Sequence, residues 1–535
     1  MRAFPRLGDY VIATRLTSSP AGFSKALLVG ARMFGAMLDR HALLIYGTLL
    51  ALVVAVCQLA LQSFSVETDE AWILLSTFKA FRLGMGGAEA VEFPTVTSGG
   101  LHLLIHGLLG HATDAIAVHR TVSLLFLAIL LLLVFALMRR LGAPPKHAAA
   151  GAMLVLATPG LLLQASLAMA EIIATVVLLA TVVYWERRGR LSLSGSAITG
   201  LLLGLTCATR TNCLVSIPVM AVCATLDAAD WTTGLSRAAT MVAGSVVVYG
   251  IGVGGYAGLF VVGNWAGFAH AMGGATGASV DKNLGDYLLN LNLAADFFPP
   301  LLIAGVLAGL VAIWRRGAGE LRLPLVLVSI SLVGALAWII EAPIPHVRYA
   351  WPFAPFLFVA GGILAHLTGA LARPWSQPVV HLFVIGSVLH QTVTSLVYIG
   401  AGDSLVAVSQ ANRQVGVPSP LEHTTNIRQQ QNMARFIAGL PGQANITTEF
   451  YGTGYPLSYL SQRPIRGITS WDSPRLRPLY FVIAPVDIAL PRQHSRVIGW
   501  LQRNCTLALR AGDYSIFSVH GPEPFPVLVE VHQAD

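Results

Sequence analysis

HALLIYGTLLALVVAVCQLALQSFSVETDEAW, residues 41–72, decides the fold. Its first part, His41 to Phe64, exceeds the roughly 20 apolar residues that carry a helix across a bilayer. It is too long for the apolar stretch of a signal peptide, and no clear small-residue cleavage site follows it. The stretch therefore reads as an uncleaved first span, followed directly by a carboxylate pair, Asp69-Glu70. The remainder of the 535 residues repeats the apolar theme, with 55% hydrophobic and 11% charged residues and a mean hydropathy of +0.67. Soluble domains carry about 25% charged residues, so a soluble globular enzyme, a disordered scaffold and a fibrous protein are excluded. The net charge of +8 is no nucleic-acid signal, because the basic residues concentrate in short loops beside apolar runs. Cys505 is the only thiol in the polar tail, and no CxxC or Cys/His spacing points to zinc.

About eleven spans are expected, at roughly 42–64, 121–138, 148–167, 170–185, 196–210, 212–226, 238–262, 295–314, 323–341, 351–372 and 378–400. Their loops divide unequally in basic residues. With a cytoplasmic N-terminus, seventeen Lys and Arg fall inside, including Arg139, Arg140, Arg187 and Arg188. Six fall outside: Lys79, Arg82, Arg120, Arg210, Lys282 and Arg348. The positive-inside bias thus places the chain in the cell (inner) membrane as a multi-pass protein, with its tail extracytoplasmic. Three regions follow: a basic cytoplasmic N-terminus at 1–40, a transmembrane catalytic domain at 41–400 with a first outer loop at 65–120, and an extracytoplasmic α/β domain at 401–535. In that tail, His423–Leu440 and His494–Arg503 read as helices, Asn445–Tyr451 and Leu479–Ala484 as strands, and Thr506–Val519 as a hairpin.

Ionisable residues collect at the outer face. Glu70 joins Asp69 after the first span, and Lys79 and Arg82 lie three apart on one helical face. Trp72–Leu83 and Leu101–Leu109 are too short or interrupted to span, and read as helices along the membrane surface. Arg120 opens the second span, Glu171 stands at the next outer turn, Arg210 between the fifth and sixth spans, and His346, Arg348 and Tyr349 at the outer end of the tenth. A charge at membrane depth is costly, so such residues are functional candidates. Asn264–Asn292 is a glycine-rich outer loop, readable as a substrate gate or as a plain connector.

The order of these residues resembles the C-type superfamily of multi-pass glycosyltransferases, which use polyprenyl-phosphate sugars. The protein O-mannosyltransferases and lipid A aminoarabinose transferases are the relatives meant. The matching residues are Asp69-Glu70, His119-Arg120-Thr-Val-Ser, Arg139-Arg140-Leu-Gly142, Ala157-Thr158-Pro159 and Ala168-Met-Ala-Glu171. They continue with Gly200-Leu-Leu-Leu-Gly204 through Arg210, and His346-Val-Arg348-Tyr349 before Pro352 and Pro355. The likeness covers about residues 41–370. It departs where relatives often have Lys-Pro-Pro-Leu and this chain has Glu92-Phe93-Pro94-Thr95, where Arg210 replaces a common Lys, and where Glu171 replaces a frequent Asp.

The resemblance implies transfer of a hexosyl or pentosyl group, with inversion, from a polyprenyl-phosphate donor in the bilayer to a glycan, glycolipid or protein acceptor. An acceptor hydroxyl needs a positioned carboxylate to take its proton; Asp69 is the first candidate and Glu70 the second. The leaving lipid phosphate gains charge, which fixed cations stabilise. Arg348 and Arg210 lead there, since a guanidinium binds phosphate bidentately; Lys79, Arg82, His346 and Tyr349 follow. Arg120, Glu171 and Glu92 are supporting residues. No cofactor is demanded. A divalent metal is left open: Asp69, Glu92, Glu171, His102, His106, His111 and His270 offer ligands, but no HExxH-type spacing occurs. A lipid-linked polysaccharide polymerase or ligase is the rival enzyme, and a transporter the rival outside enzymes.

Overall fold

A computed structural model of the chain describes residues 20–63, 70–71, 74, 100–260, 284–315, 321–341, 351–373, 376–401, 427–448, 451–467, 479–483, 499–511, 514–521 and 523. Helix α1, Pro20–Ser63, contains the first apolar run and extends well before it. Then come α2 (Gly100–Ala112), α3 (Ile116–Arg140), α4 (Pro145–Val155), the single turn α5 (Leu161–Gln164), α6 (Ala170–Arg187), α7 (Leu193–Thr209), α8 (Ser216–Leu226) and α9 (Trp231–Phe260). The series continues with α10 (Leu284–Phe297), α11 (Pro300–Trp314), α12 (Arg322–Glu341), α13 (Ala354–Leu367) and α14 (Gln377–Ala401). Among the described residues, five helical stretches are long and apolar enough to cross a membrane: Arg40–Ser63, Ile116–Arg140, Trp231–Val253, Arg322–Ile340 and Gln377–Val397.

Two expectations change here. The run at 148–167 is no continuous helix. It stops at Val155, turns through Pro159 and Gly160 (φ +72°), and resumes as the short α5. A proline denies the helix a donor and clashes with the preceding turn, which apolar composition alone does not register. In the glycine-rich segment, the described part from Leu284 is helix α10, and so not loop.

Small residues set the closest helix contact. A Cβ on Gly200 would lie 2.2 Å from the Met241 carbonyl oxygen, and one on Gly204 would lie 2.6 Å from that of Ser245. Helices α7 and α9 therefore touch backbone to backbone, and Ser245 Oγ donates to the Gly200 carbonyl at 3.1 Å. In a bilayer, where lipid tails are as apolar as leucine, such close packing replaces the hydrophobic drive. Gly100 (φ +51°) does the same at the start of α2, where a Cβ would meet the Ala208–Thr209 backbone at 2.7 Å.

Downstream, a five-stranded sheet has the order β2-β1-β3-β5-β4, built from β1 (Asn445–Thr448), β2 (Arg466–Gly467), β3 (Leu479–Ile483), β4 (Cys505–Ala511) and β5 (Tyr514–Val519). β1 runs parallel to β2 and β3, while β5 runs antiparallel to β3 and β4. The expected hairpin closes with Ala511 opposite Tyr514. Helices α15 (Ile427–Ala438) and α16 (Tyr451–Ser461) pack on the sheet. α16 was not expected, because Gly452, Gly454 and Pro456 all disfavour a helix; burial of Leu457 and Tyr459 overrides that local preference. The five cysteines are free thiols.

Candidate active site

The sequence places Arg120 one turn into α3 and Glu171 at the second residue of α6. Both positions lie at the same end of the bundle, and both residues are buried ions with a partner from a distant segment. Arg120 meets Glu70 as a two-pronged fork, Nε to Oε1 at 2.8 Å and Nη2 to Oε2 at 2.7 Å. Neither side chain has measurable exposure. Arg120 Nη1 also donates to the Leu61 carbonyl at 3.1 Å, tying the pair to the end of α1. The Ala168 amide donates to Glu70 Oε1 at 2.7 Å. Glu70, the second candidate base, thus has both oxygens engaged, which favours a part in holding the site together over proton abstraction.

The second pair is Glu171 with Arg210, Nη2 to Oε1 at 2.7 Å, again almost fully buried. Glu171 lies in the first turn of α6, where the positive end of the helix dipole favours a carboxylate. Arg210 follows the last residue of α7. A buried pair of this kind contributes little net stability, yet removing one partner leaves an uncompensated ion.

Between the two pairs sit three histidines. His102 Nε2 lies 3.1 Å from the Ala168 carbonyl, which can only accept, so Nε2 carries the proton. By the same reasoning His119 Nε2 donates to the Thr113 carbonyl at 3.2 Å. Its Nδ1 is then left to accept from His106 Nδ1 at 3.0 Å. The His102 and His106 rings lie against each other at a tilt of 51°, with centroids 4.3 Å apart. Burial pushes the His102 imidazole down to about 3, with the Ala168 carbonyl opposing and the Arg210 charge acting the same way as burial. Burial also holds His106 well below the ordinary histidine range. The i, i+4 spacing of His102 and His106 on α2 was the available sequence signal for this cluster.

Two further motifs converge here. Thr175, one turn beyond Glu171, donates to the Pro352 carbonyl at 3.2 Å. The Trp351 indole donates to the Pro159 carbonyl at 3.0 Å. The Ala157-Thr158-Pro159 stretch and the segment that follows Arg348 are therefore fixed to the Glu171 end of α6. The tail reaches the same place, for the Tyr459 hydroxyl donates to the Asp114 carbonyl at 2.9 Å. Tyr459 also shares a buried apolar cluster with Ala71, Leu74, Ile116, Ala168 and Ile427. Burial, reinforced by Glu70 and Asp114, holds its phenol above the usual range, so it stays a donor.

Asp69, Lys79, Arg82, Glu92, His270, His346, Arg348 and Tyr349 lie outside the described residues. Among the described residues no group of three His, Cys, Asp or Glu is arranged to hold a metal ion.

The likeness of this architecture to known structures is extensive. ArnT from Cupriavidus metallidurans, in a crystal structure bound to undecaprenyl phosphate, superposes with a TM-score of 0.58 at 16% identity, covering 89% of this chain and 99% of that one. Its apo structure gives 0.57 at 15% identity, covering 89% and 98%. The Archaeoglobus fulgidus oligosaccharyltransferase, tethered to an acceptor peptide, gives 0.46 at 11% identity over 88% of this chain and 74% of that one. The chain therefore shares the fold of ArnT, a multi-pass helical membrane architecture. No family model matches the sequence, and no curated protein matches it.

Proposed function

We propose that the protein is a membrane glycosyltransferase that moves a sugar from a polyprenyl-phosphate donor to an acceptor of the cell envelope. The observation that carries this reading is the pair of buried ion pairs at one end of an ArnT-like bundle. They join Glu70, immediately after Asp69, to the Ala168–Glu171 motif and Arg210. ArnT itself was crystallised with undecaprenyl phosphate, which supports a lipid-phosphate donor here.

In this reading Asp69 takes the proton of the acceptor hydroxyl as the hydroxyl attacks the anomeric carbon, and the configuration inverts. Arg348 binds the departing phosphate, assisted by Lys79, Arg82, His346 and Tyr349. Arg210 adds positive potential from behind, held by Glu171. Glu70 and Arg120 position the Asp69 segment. Glu92 stays a supporting candidate, and a divalent metal at the outer loops stays open. The bundle carries about eleven spans in the inner membrane, counting with the five long stretches the shorter apolar helices α7, α8, α11 and α13, helix α6 and the broken α4–α5 segment. The reaction takes place at the extracytoplasmic face, and residues 401–535 form an α/β domain that covers it. The hydrogen bond from Tyr459 to Asp114 supports that placement.

The test is sugar transfer by the purified protein, with the donor taken from lipid that co-purifies and identified by mass spectrometry. Asp69→Asn should lower the rate by about 10²- to 10⁴-fold, the usual contribution of a general base, with unchanged thermal unfolding. Transfer at the wild-type rate by that variant would end the assignment of Asp69.

A further inference from the structure

A groove of about 670 Å³ opens at the end of the bundle opposite the ion pairs, lined by Leu133 of α3 and by Ala180, Val183, Tyr184, Arg187 and Arg188 at the end of α6. α3 and α6 run in the same direction. Arg120 and Glu171 lie near their starts, and Leu133, about two turns before the end of α3, faces the last turns of α6 across this groove. We infer that the groove binds an anionic phospholipid of the surrounding bilayer, with its phosphate against Arg187 and Arg188 and its acyl chains along the apolar floor.

The argument is one of matching polarity along a line. Arg187 and Arg188 are exposed, and among the described residues neither takes part in an ion pair. Arg139 and Arg140, the last residues of α3, lie at the same end and are also exposed. Seven residues separate Ala180 from Arg187, about 10 Å along a helix at 1.5 Å per residue. The polar end of the groove and its apolar floor are thus about one headgroup-plus-glycerol apart. Beyond Leu133 the apolar track continues on α3 through Leu132, Ile129 and Leu125, which are 66%, 42% and 59% exposed. That row faces lipid tails, with no charged residue between Arg120 and Arg139 to interrupt it. Tyr184 adds a phenol at the level where amphipathic rings sit in membrane proteins. The volume falls within the usual range of small-ligand sites, about 300–1,000 Å³, and basic pockets between membrane helices are the known form of anionic headgroup sites. The inference is independent of the proposed transferase chemistry.

The experiment is native mass spectrometry of the delipidated full-length protein, offered equal amounts of phosphatidylglycerol and phosphatidylcholine with identical chains. The wild type should retain phosphatidylglycerol preferentially. The double substitution Arg187→Ala/Arg188→Ala should reduce that preference by about 30-fold, the effect of two basic side chains near a membrane surface combined. Ala180→Trp, which fills the floor and leaves both arginines, should also abolish retention, and free glycerol phosphate should not compete. Equal retention of both lipids by the wild type would overturn the inference. So would undiminished preference in the double variant, or competition by glycerol phosphate, which would mark a site for a soluble anion. The wild-type comparison decides the matter even if a variant fails to fold.

Discussion

At one end of the α3–α6 pair, Arg120 and Glu171 are sealed from solvent, and each grips a partner from another part of the chain. At the other end, about 24 Å away along α6 at 1.5 Å per residue, Arg140, Arg187 and Arg188 stand exposed. The residue types overlap, but the two surroundings make opposite demands. A buried ion must be matched in position and in hydrogen bonds, since a low-dielectric interior makes any mismatch expensive. An exposed one is hydrated and needs no partner. The buried end therefore fixes geometry between distant segments, and the exposed end presents hydrated positive charge.

That contrast can be broken most directly at Arg120. Arg120→Ala should lower stability by about 3–5 kcal/mol, because Glu70 would remain buried without its cation. Thermal unfolding in detergent would read this. Replacing both partners with apolar residues of similar size should recover most of the loss, and a double variant as unstable as the single one would contradict the account.

A second effect at the buried end depends on pH. His102 is neutral in the fold down to about pH 3, whereas an unfolded histidine titrates near 6.5. Between those values the unfolded state binds more protons, so stability is complete above about pH 6.5 and declines as pH falls toward 3. The slope from one such group approaches 1.4 kcal/mol per pH unit. Acid titration of unfolding in the wild type and in His102→Gln should give a shallower decline in the variant, and parallel curves would remove His102 from the pH dependence.

The smallest effect belongs to the exposed end. Arg187→Ala/Arg188→Ala should change the same unfolding measurement by no more than about 0.5 kcal/mol, as surface substitutions generally do. A loss comparable to that of Arg120→Ala would mean that these arginines are structural after all.

Much of the architecture was legible in the sequence, and for a physical reason. Length and apolarity are properties of a contiguous stretch, so α1, α3, α12 and α14 could be read directly. The broken helix after Val155 was hidden because Pro159 and Gly160 occur inside an otherwise uniform apolar run. α16 was hidden for the converse reason, since tertiary burial there outweighs two glycines and a proline. At the site, the motifs announced Glu70, Arg120, Glu171 and Arg210 as charges at one face. Which carboxylate meets which guanidinium depends on how segments 39 to 50 residues apart fold back on one another, and spacing carries no record of that. The histidine cluster combines α2 and α3, so only its half on α2 has a periodic signature.

The contact of Gly200 and Gly204 with α9 has a consequence at a distance. Ten residues separate Gly200 from Arg210, about 15 Å along the same rigid rod. Any side chain that wedges α7 away from α9 tilts that rod and draws the guanidinium off Glu171, though the altered atom lies nowhere near it. These two glycines of α7 thus act as the fulcrum of a lever whose far tip is a charge, and sequence drift at the fulcrum would weaken the tip before it unfolded the protein.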